Sequence, residues 1–124
     1  MNILIVDDSK VMRMIVRRTL RQANVPAHSV EEAENGQDAL GKLAAFKADL
    51  ILSDWNMPTM DGPALLAAVR GSGNAHVKFG FITSQSSVES RETARRAGAE
   101  FLITKPFTPE DLEAVLKPVF AAKR

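Results

Sequence analysis

The sequence predicts an α/β fold built on a parallel sheet, and two observations support this fold class. Five apolar runs alternate with five stretches of helical periodicity along the 124 residues, an order that is typical of α/β domains. The first and third runs, "NILIV" and "DLILS", are continuous rather than alternating, as expected of parallel strands that helices cover on both faces. A chain of this length corresponds to one domain of ordinary size.

The five apolar runs give the expected strands. The second run is the most polar and therefore suits an edge of the sheet. Gly80 interrupts the fourth run, where we expect it to relieve crowding in a central strand. The predicted strands cover residues 2–6, 28–33, 49–53, 77–83 and 100–104.

The first predicted helix covers residues 9–24 and is amphipathic. Arg13, Arg17 and Arg21 line one side of it, either as a solvated face or as a surface for an acidic partner or nucleic acid. Its core side, at helical spacing, consists of Val11, Met12, Ile15, Val16, Thr19 and Ala23.

The remaining helices are predicted over residues 36–47, 63–70 and 86–97, and from residue 109 onward. The last begins most clearly, because Thr108 precedes Pro109 and Asp111 in a variant of the capping box. The fourth offers only Val88, Ala94 and Ala97 as apolar anchors. Because hydrophobic stabilisation scales with buried apolar area, that helix is expected to be loosely held, as a mobile segment, a partner surface or simply a solvated helix.

Composition argues against several classes of protein. No stretch approaches the roughly 20 apolar residues that a membrane span requires, and no export signal is evident, so we expect a cytoplasmic protein without a membrane partner. The chain has no cysteine and only two histidines, which argues against disulfides and zinc sites. The formal net charge of +1 gives no general attraction to nucleic acid.

Polar side chains follow the predicted strands at the edge where parallel strands end. Ligands of open α/β sheets bind at this edge, so we expect three carboxylates, hydroxyls and an ammonium to meet there. Asp8 taken alone could instead cap the first helix. The converging residues are Asp7, Asp8, Asp54, Thr83 and Lys105, and Ser84 lies beside Thr83 at the same strand end.

The chemistry of such a cluster indicates a metal ion and a phosphoryl group. Three neighbouring carboxylates would raise the pKa of at least one of them unless a cation compensates their charge. Oxygen donors without cysteine favour Mg²⁺, and a metal ion beside an ammonium suits a phosphoryl group that a carboxylate can attack. Asp54 is the expected nucleophile because it stands alone on the central strand. We expect Trp55 to border this site as a partly exposed neighbour, with a packing anchor as the alternative.

Four segments carry a family resemblance over essentially the whole chain: "LIVDDSKVMRMIVRRTL", "DLILSDWNMPTMDG", "FITSQSS" and "GAEFLITKPFTPEDLEAVL". Together they resemble the receiver domain of two-component response regulators, and "DWNMP" is similar to the single-domain chemotaxis regulators of the CheY type. The resemblance implies a flavodoxin-like (βα)5 doubly wound parallel sheet with strand order 2-1-3-4-5. It also implies a receiver over residues 1–124 without an output domain.

The resemblance further implies a role for each matching residue. Asp54 would accept phosphate from a partner histidine kinase, in a reaction that the receiver itself catalyses although it is not otherwise an enzyme. Asp8, Asp54 and the backbone carbonyl of Asn56 would bind Mg²⁺, with Asp7 assisting through water. Thr83 would hold phosphoryl oxygens together with Lys105, whose bond to the following proline is usually cis in the family. The phosphorylated form would bind a downstream protein, such as a flagellar motor switch or a relay phosphotransferase.

The residues around this set are expected to tune and transmit the signal. Asn56 and Gln85 match positions that adjust the lifetime of the aspartyl phosphate, and Ser84 lies between Thr83 and Gln85. Leu102 occupies the place where the family often has an aromatic switch residue. We therefore expect phosphorylation to move the loop after Thr83 and the fourth helix, with a weaker change at strand five.

Other functions stay open on the sequence alone. A relay intermediate or a phosphate sink would use the same residues. An aspartate-nucleophile phosphohydrolase also uses Mg²⁺, aspartate and lysine, but such enzymes commonly place the nucleophile after the first strand and need a cap over the substrate. A phosphorylation-independent interaction module is disfavoured because the acidic pocket is intact.

Overall fold

The computed structural model describes residues 1–23, 25, 29–73, 76–84 and 87–121. Strands and helices alternate throughout this part of the chain. The strands are β1 (Asn2–Val6), β2 (Ser29–Ala33), β3 (Leu50–Asp54), β4 (Lys78–Thr83) and β5 (Phe101–Thr104). The helices are α1 (Lys10–Gln22), α2 (Gly36–Leu43), α3 (Gly62–Gly71), α4 (Val88–Arg96) and α5 (Pro109–Ala121).

Every predicted element is present, and most bounds differ by one or two residues. Residues 24, 28 and 86, at the ends of three predicted elements, lie outside the described residues. The prediction for α2 was wrong at its end, because the helix stops at Leu43 rather than at residue 47. There Ala44 N donates to the Gly41 carbonyl, so the chain tightens into a three-residue turn of the kind that often ends a helix.

The five strands form one parallel sheet in the order β2-β1-β3-β4-β5, which confirms the predicted topology. The polar β2 lies at an edge, also as predicted. The central strand β3 lies between β1 and β4. Asp54 at its end is paired with Ile82, and Thr83 at the end of β4 is paired with Thr104. The sheet therefore places the ends of four strands next to one another.

Side chains from the two faces of the sheet form two separate cores. One core joins the sheet to α1 and α5, and the other joins it to helices α2, α3 and α4. The first contains Ile3, Ile5, Val16, Leu20, Leu50, Leu52, Ile82, Ile103, Leu112 and Leu116. The second contains Leu4, Val6, Ala39, Ile51, Leu65, Leu66, Val69, Phe79, Phe81, Ala94 and Leu102.

The buried side of α1 differs from the prediction at its first residue. Val11 was expected in the core, but 66% of its surface is exposed. The buried stripe instead runs through Val16, Thr19 and Leu20, with Met12 packed against the same core. Val11 precedes Met12, and one residue of helix rotates a side chain by about 100°. Val11 therefore points past the core.

The prediction for α4 was wrong about two of its three anchors. Val88 is 86% exposed and Ala97 is exposed, so Ala94 is the buried member of the set. The prediction for α5 is confirmed, since Asp111 N donates to Thr108 Oγ1 and Thr108 N donates to the Asp111 carboxylate, both at 3.0 Å. Within the described ranges, no helix is both long and apolar enough to cross a membrane.

Gly80 provides the close approach that the sequence predicts in a central strand. A Cβ atom there would lie 2.2 Å from the Phe101 ring of the neighbouring strand β5. Such a contact is shorter than van der Waals packing allows, so the glycine lets the two strands pair beneath a large aromatic ring.

Candidate functional site

Three aspartates meet at the carboxyl edge of the sheet. Asp7 and Asp8 follow β1, and Asp54 ends β3, the strand that pairs with β1. One carboxylate oxygen from each residue lies within 4.8 Å of those from the other two. Asp7 is buried, Asp54 is half-buried and Asp8 is exposed, so the cluster opens to solvent on the side of Asp8.

Lys105, which follows the edge strand β5, brings a positive charge into this cluster. Its Nζ lies 3.4 Å from Asp7 Oδ2 and 3.5 Å from Asp54 Oδ1. The backbone N–H of Lys105 donates to the Thr83 carbonyl at 2.7 Å, which fixes the lysine to the end of β4. The peptide bond between Lys105 and Pro106 is cis, as expected.

The residues that follow β3 and β4 occupy different environments. Thr83 is buried at the end of β4, whereas Ser84 beside it is exposed. Asn56 is exposed two residues after Asp54. Gln85 lies outside the described residues. The threonine is thus a fixed part of the sheet edge, and Ser84 and Asn56 lie at its surface.

The carboxyl group of Asp7 has a shifted pKa. Burial raises its pKa above the ordinary value of 3.8, and the negative charge of Asp54 raises it further. The Ser9 N–H, which donates to Asp7 Oδ1 at 2.9 Å, and the Lys105 ammonium act in the opposite direction without cancelling the increase. The sequence predicted a raised pKa for one member of the acidic cluster from the repulsion of its carboxylates. The pKa of Asp7 is raised as predicted, but burial is a larger cause than repulsion by Asp54.

The alternative that Asp8 caps the first helix is wrong. Ser9 is the N-cap of α1, and its hydroxyl accepts a hydrogen bond from Met12 N. Its own backbone N–H donates to Asp7 rather than to Asp8. A serine cap satisfies a free N–H of the first turn as well as an aspartate would, so the Asp8 carboxylate is not needed for the helix.

Asp54 and the loop after β3 are held by main-chain contacts. Trp55 N donates to Asp54 Oδ1 at 2.8 Å, and Gly62 N donates to the Trp55 carbonyl at 2.8 Å. A Cβ atom on Gly62 would lie 2.4 Å from the Asp54 carbonyl, so only glycine allows this closure. The Trp55 ring packs on Phe81, with 4.8 Å between centroids. The tryptophan therefore borders the site, as expected, and is anchored in the core as well.

Leu102 lies on the same face of the sheet as the core beneath α4. It pairs with Phe81, is 8% exposed and belongs to the core that contains Ala94. Its backbone carbonyl accepts a hydrogen bond from Arg91 of α4 at 3.4 Å. Strand β5 is thus tied to α4 through both the side chain and the main chain of residue 102.

Sequence reasoning missed one residue beside the site. Arg13 was placed in a row of solvated arginines, yet its Nη1 donates to the Asp7 carbonyl at 2.7 Å and its Nε lies 2.9 Å from a Glu32 carboxylate oxygen. No local pattern connects residues 13 and 32. The pairing of β1 with β2 brings them together, and this pairing is visible only in the sheet.

Comparison with known proteins agrees with this geometry. The family model described as "Response regulator receiver domain" matches residues 3–117. The chain belongs to the response regulator receiver domain family. Chemotaxis protein CheY-3 of Vibrio cholerae is 37% identical over 121 residues, which cover 97% of this chain and 92% of that protein. Chemotaxis protein CheY1 of Helicobacter pylori is 38% identical over 122 residues, which cover 96% of each.

Solved structures of receivers share the fold. The structure of the chemotaxis protein CheY4 of Vibrio cholerae matches with a TM-score of 0.83 and 36% identity, over 95% of this chain and 97% of that one. A CheY-like receiver domain protein from Methanospirillum hungatei matches with a TM-score of 0.83 and 28% identity, over 98% of this chain and 94% of that one. This receiver is therefore a signalling domain of the CheY-like class rather than a conventional enzyme.

Proposed function

We propose that this receiver is a chemotaxis response regulator that a histidine kinase phosphorylates on Asp54 in a Mg²⁺-dependent reaction. The observation that carries the proposal is the contact of one ammonium, that of Lys105, with both Asp7 and Asp54 at the open acidic edge. Named chemotaxis relatives that align over nearly their whole length support the signalling pathway.

The acidic cluster fits a hard divalent cation. Its donors are carboxylate oxygens within 4.8 Å of one another. Burial, and after it the negative charge of Asp54, raise the pKa of Asp7. Asp8 and Asp54 would hold Mg²⁺ with the backbone carbonyl of Asn56, and Asp7 would assist through water. When bound, the ion would neutralise the carboxylates and the incoming phosphoryl oxygens.

The two carboxylate oxygens of Asp54 differ in their contacts. Both Trp55 N and Lys105 Nζ approach Oδ1, so we assign nucleophilic attack to Oδ2. A bond forms between Oδ2 and phosphorus while the bond from phosphorus to the donor nitrogen breaks, and the donor imidazole keeps the electron pair. Lys105 and the Thr83 hydroxyl would stabilise the phosphoryl oxygens.

Transmission would run from Thr83 to α4. Thr83 and Leu102 lie on one face of the sheet, and Leu102 shares its core with Ala94 of α4. Movement of the threonine toward a phosphoryl group would leave space beside Leu102, whose side chain is smaller than an aromatic ring. We therefore expect a change centred on α4 and a weaker one in β5. This change would set the affinity for a downstream protein in the cytoplasm, such as a motor switch or a relay phosphotransferase.

Intact-mass measurement after incubation with acetyl phosphate and Mg²⁺ tests the phosphoacceptor. We expect one added phosphoryl group in the native protein and none in Asp54→Asn or with EDTA. An unmodified native protein, under conditions that label a known receiver, would count against the proposal. Multiple-turnover hydrolysis of varied phosphomonoesters would instead indicate a phosphohydrolase.

A further inference from the structure

Arg13 connects the acidic site to the edge of the sheet. Its side chain is 14% exposed, Nη1 donates to the Asp7 carbonyl at 2.7 Å, and Nε lies 2.9 Å from Glu32 Oε1. A single guanidinium on α1 therefore holds the loop after β1 and the strand β2 together. Because its donors form a rigid planar fork, the two contacts fix each other in direction.

The carbonyl that Arg13 contacts belongs to the peptide group between Asp7 and Asp8. Rotation of that peptide plane would change the direction of the Asp8 side chain, because the peptide is planar and its orientation sets the backbone of the next residue. The rest of Asp7 is already held, since its N–H donates to the Ala33 carbonyl and its Oδ1 accepts from Ser9 N. Because Asp8 is exposed, the direction in which its carboxylate points depends on the orientation of its backbone.

Glu32 accepts a hydrogen bond from the Nε of Arg13. Its second oxygen lies 2.9 Å from Arg17 Nε. Burial alone would raise the pKa of Glu32, but hydrogen bonds from Arg13 and then Arg17 outweigh it and lower the pKa. Arg17 directs its remaining contact to the Val30 carbonyl at 3.0 Å, on β2 and not on the acidic loop. The two arginines thus share Glu32 and differ in whether they touch the site.

We infer that Arg13 is a positioning residue: by holding the Asp7–Asp8 peptide group, it aims the Asp8 carboxylate at Asp54 and strengthens the binding of a divalent cation. This inference rests on the proposed Mg²⁺ site. It has an unusual consequence, because a positive charge near the site should weaken cation binding through space. Positioning and charge therefore predict changes of opposite sign when Arg13 is neutralised.

Mg²⁺ titration of Trp55 fluorescence, with calorimetry as a second readout, separates the two effects. Arg13→Gln and the matched control Arg17→Gln each remove one positive charge and one ion pair with Glu32. Charge alone would tighten Mg²⁺ binding in both variants. If Arg13 positions Asp8, its loss in Arg13→Gln should weaken Mg²⁺ binding by about tenfold, a loss typical of residues that orient metal ligands. Mg²⁺ binding in the control should be unchanged or slightly tighter. Arg13→Lys keeps the charge without the two-armed contact and is expected to weaken binding too.

A readout without metal tests the same geometry. In metal-free protein, the amide resonances of Asp8 and Ser9 should shift in Arg13→Gln and stay in place in Arg17→Gln. Equal Mg²⁺ affinity in both glutamine variants, or tighter binding in Arg13→Gln, would overturn the role of Arg13 while leaving the metal site intact. Absence of Mg²⁺ binding in the native protein would overturn the proposed site and this role with it. Should Arg13→Gln not fold, Arg13→Lys decides the question by the same affinity measurement.

Discussion

The acidic edge and α4 are held in place by different kinds of contact. Strand β1, which Asp7 follows, and strand β3, which ends at Asp54, are buried on both faces. Ile5 and Leu52 on one face, and Leu4 and Ile51 on the other, are at most 1% exposed. Among the residues of α4 that the structure describes, Ala94 alone is buried. The first region is held by long-range packing. Helix α4 is held by one buried side chain, a hydrogen bond from Arg91 to the Leu102 carbonyl and contacts within the helix itself.

The local contacts of α4 are its capping box and its ion pairs. Ser90 N donates to Ser87 Oγ at 3.0 Å and Ser87 N donates to Ser90 Oγ at 2.8 Å. Glu92 pairs with Arg95 and Arg96 within the same helix, and exposed pairs of this kind contribute little stability. A rigid site beside a weakly anchored helix suits a switch, because the site can keep its geometry while the helix changes position.

The largest expected effect is the difference in stability between a variant that truncates a buried ring and one that truncates an exposed side chain. Phe79→Ala should lower the free energy of unfolding by about 3–5 kcal/mol, because it opens a cavity in a core where Phe79 is fully buried. Val88→Ala at the start of α4 should change it by less than about 0.5 kcal/mol. Urea unfolding measures both. A loss at Val88 comparable to that at Phe79 would mean that Val88 is packed and that α4 is not weakly anchored.

A smaller effect compares the N-caps of two helices. Ser9 caps α1 and Ser87 caps α4, and loss of a serine cap costs about 1 kcal/mol. Ser9→Ala should lower the global urea midpoint, because α1 is packed in the core. Ser87→Ala should instead speed amide exchange within α4 and leave the global midpoint nearly unchanged. If Ser87→Ala lowers the midpoint as much as Ser9→Ala, the two helices unfold together and the contrast is wrong.

The smallest effect concerns Asp7 in metal-free protein. Because its folded-state pKa lies above 3.8, the folded state binds more protons than the unfolded state just above that pH, and its ionised form destabilises the fold at neutral pH. Asp7→Asn should therefore raise the urea midpoint at pH 7 in EDTA. Loss of the contact with Lys105 will reduce this gain. The gain should shrink as the pH falls toward 3.8. A variant that is less stable than the native protein at pH 7 would show that the Lys105 contact outweighs burial and repulsion.

Much of the fold and the composition of the site could be predicted from sequence. Five apolar runs alternating with helical periodicity identified the strands, and the rule that parallel strands end at one edge brought Asp7, Asp54 and Lys105 together. The strand order itself came from the family resemblance. The capping signals around Thr108 marked the start of α5.

The rest depended on tertiary contacts that no local pattern contains. Val11 lies one residue before Met12, which packs against the core, so periodicity could not separate a core residue from an exposed one. Arg13 looked like part of a solvated row because Glu32, its partner, lies 19 residues away and meets it only through strand pairing. The actual exposure of Val88 could not be predicted because it depends on how α4 sits on the sheet.

Amide hydrogen exchange of the phosphorylated protein tests the central claim most directly, since it measures the rigid edge and α4 in one experiment. After labelling with acetyl phosphate and Mg²⁺, exchange should change in α4 and more weakly in β5, while β1 and β3 stay protected as before. Asp54→Asn under the same conditions should show no change of amide exchange in α4 or β5. A protein that carries the phosphoryl group on Asp54, as mass measurement would establish, yet exchanges in α4 as the unmodified protein does, would contradict the account.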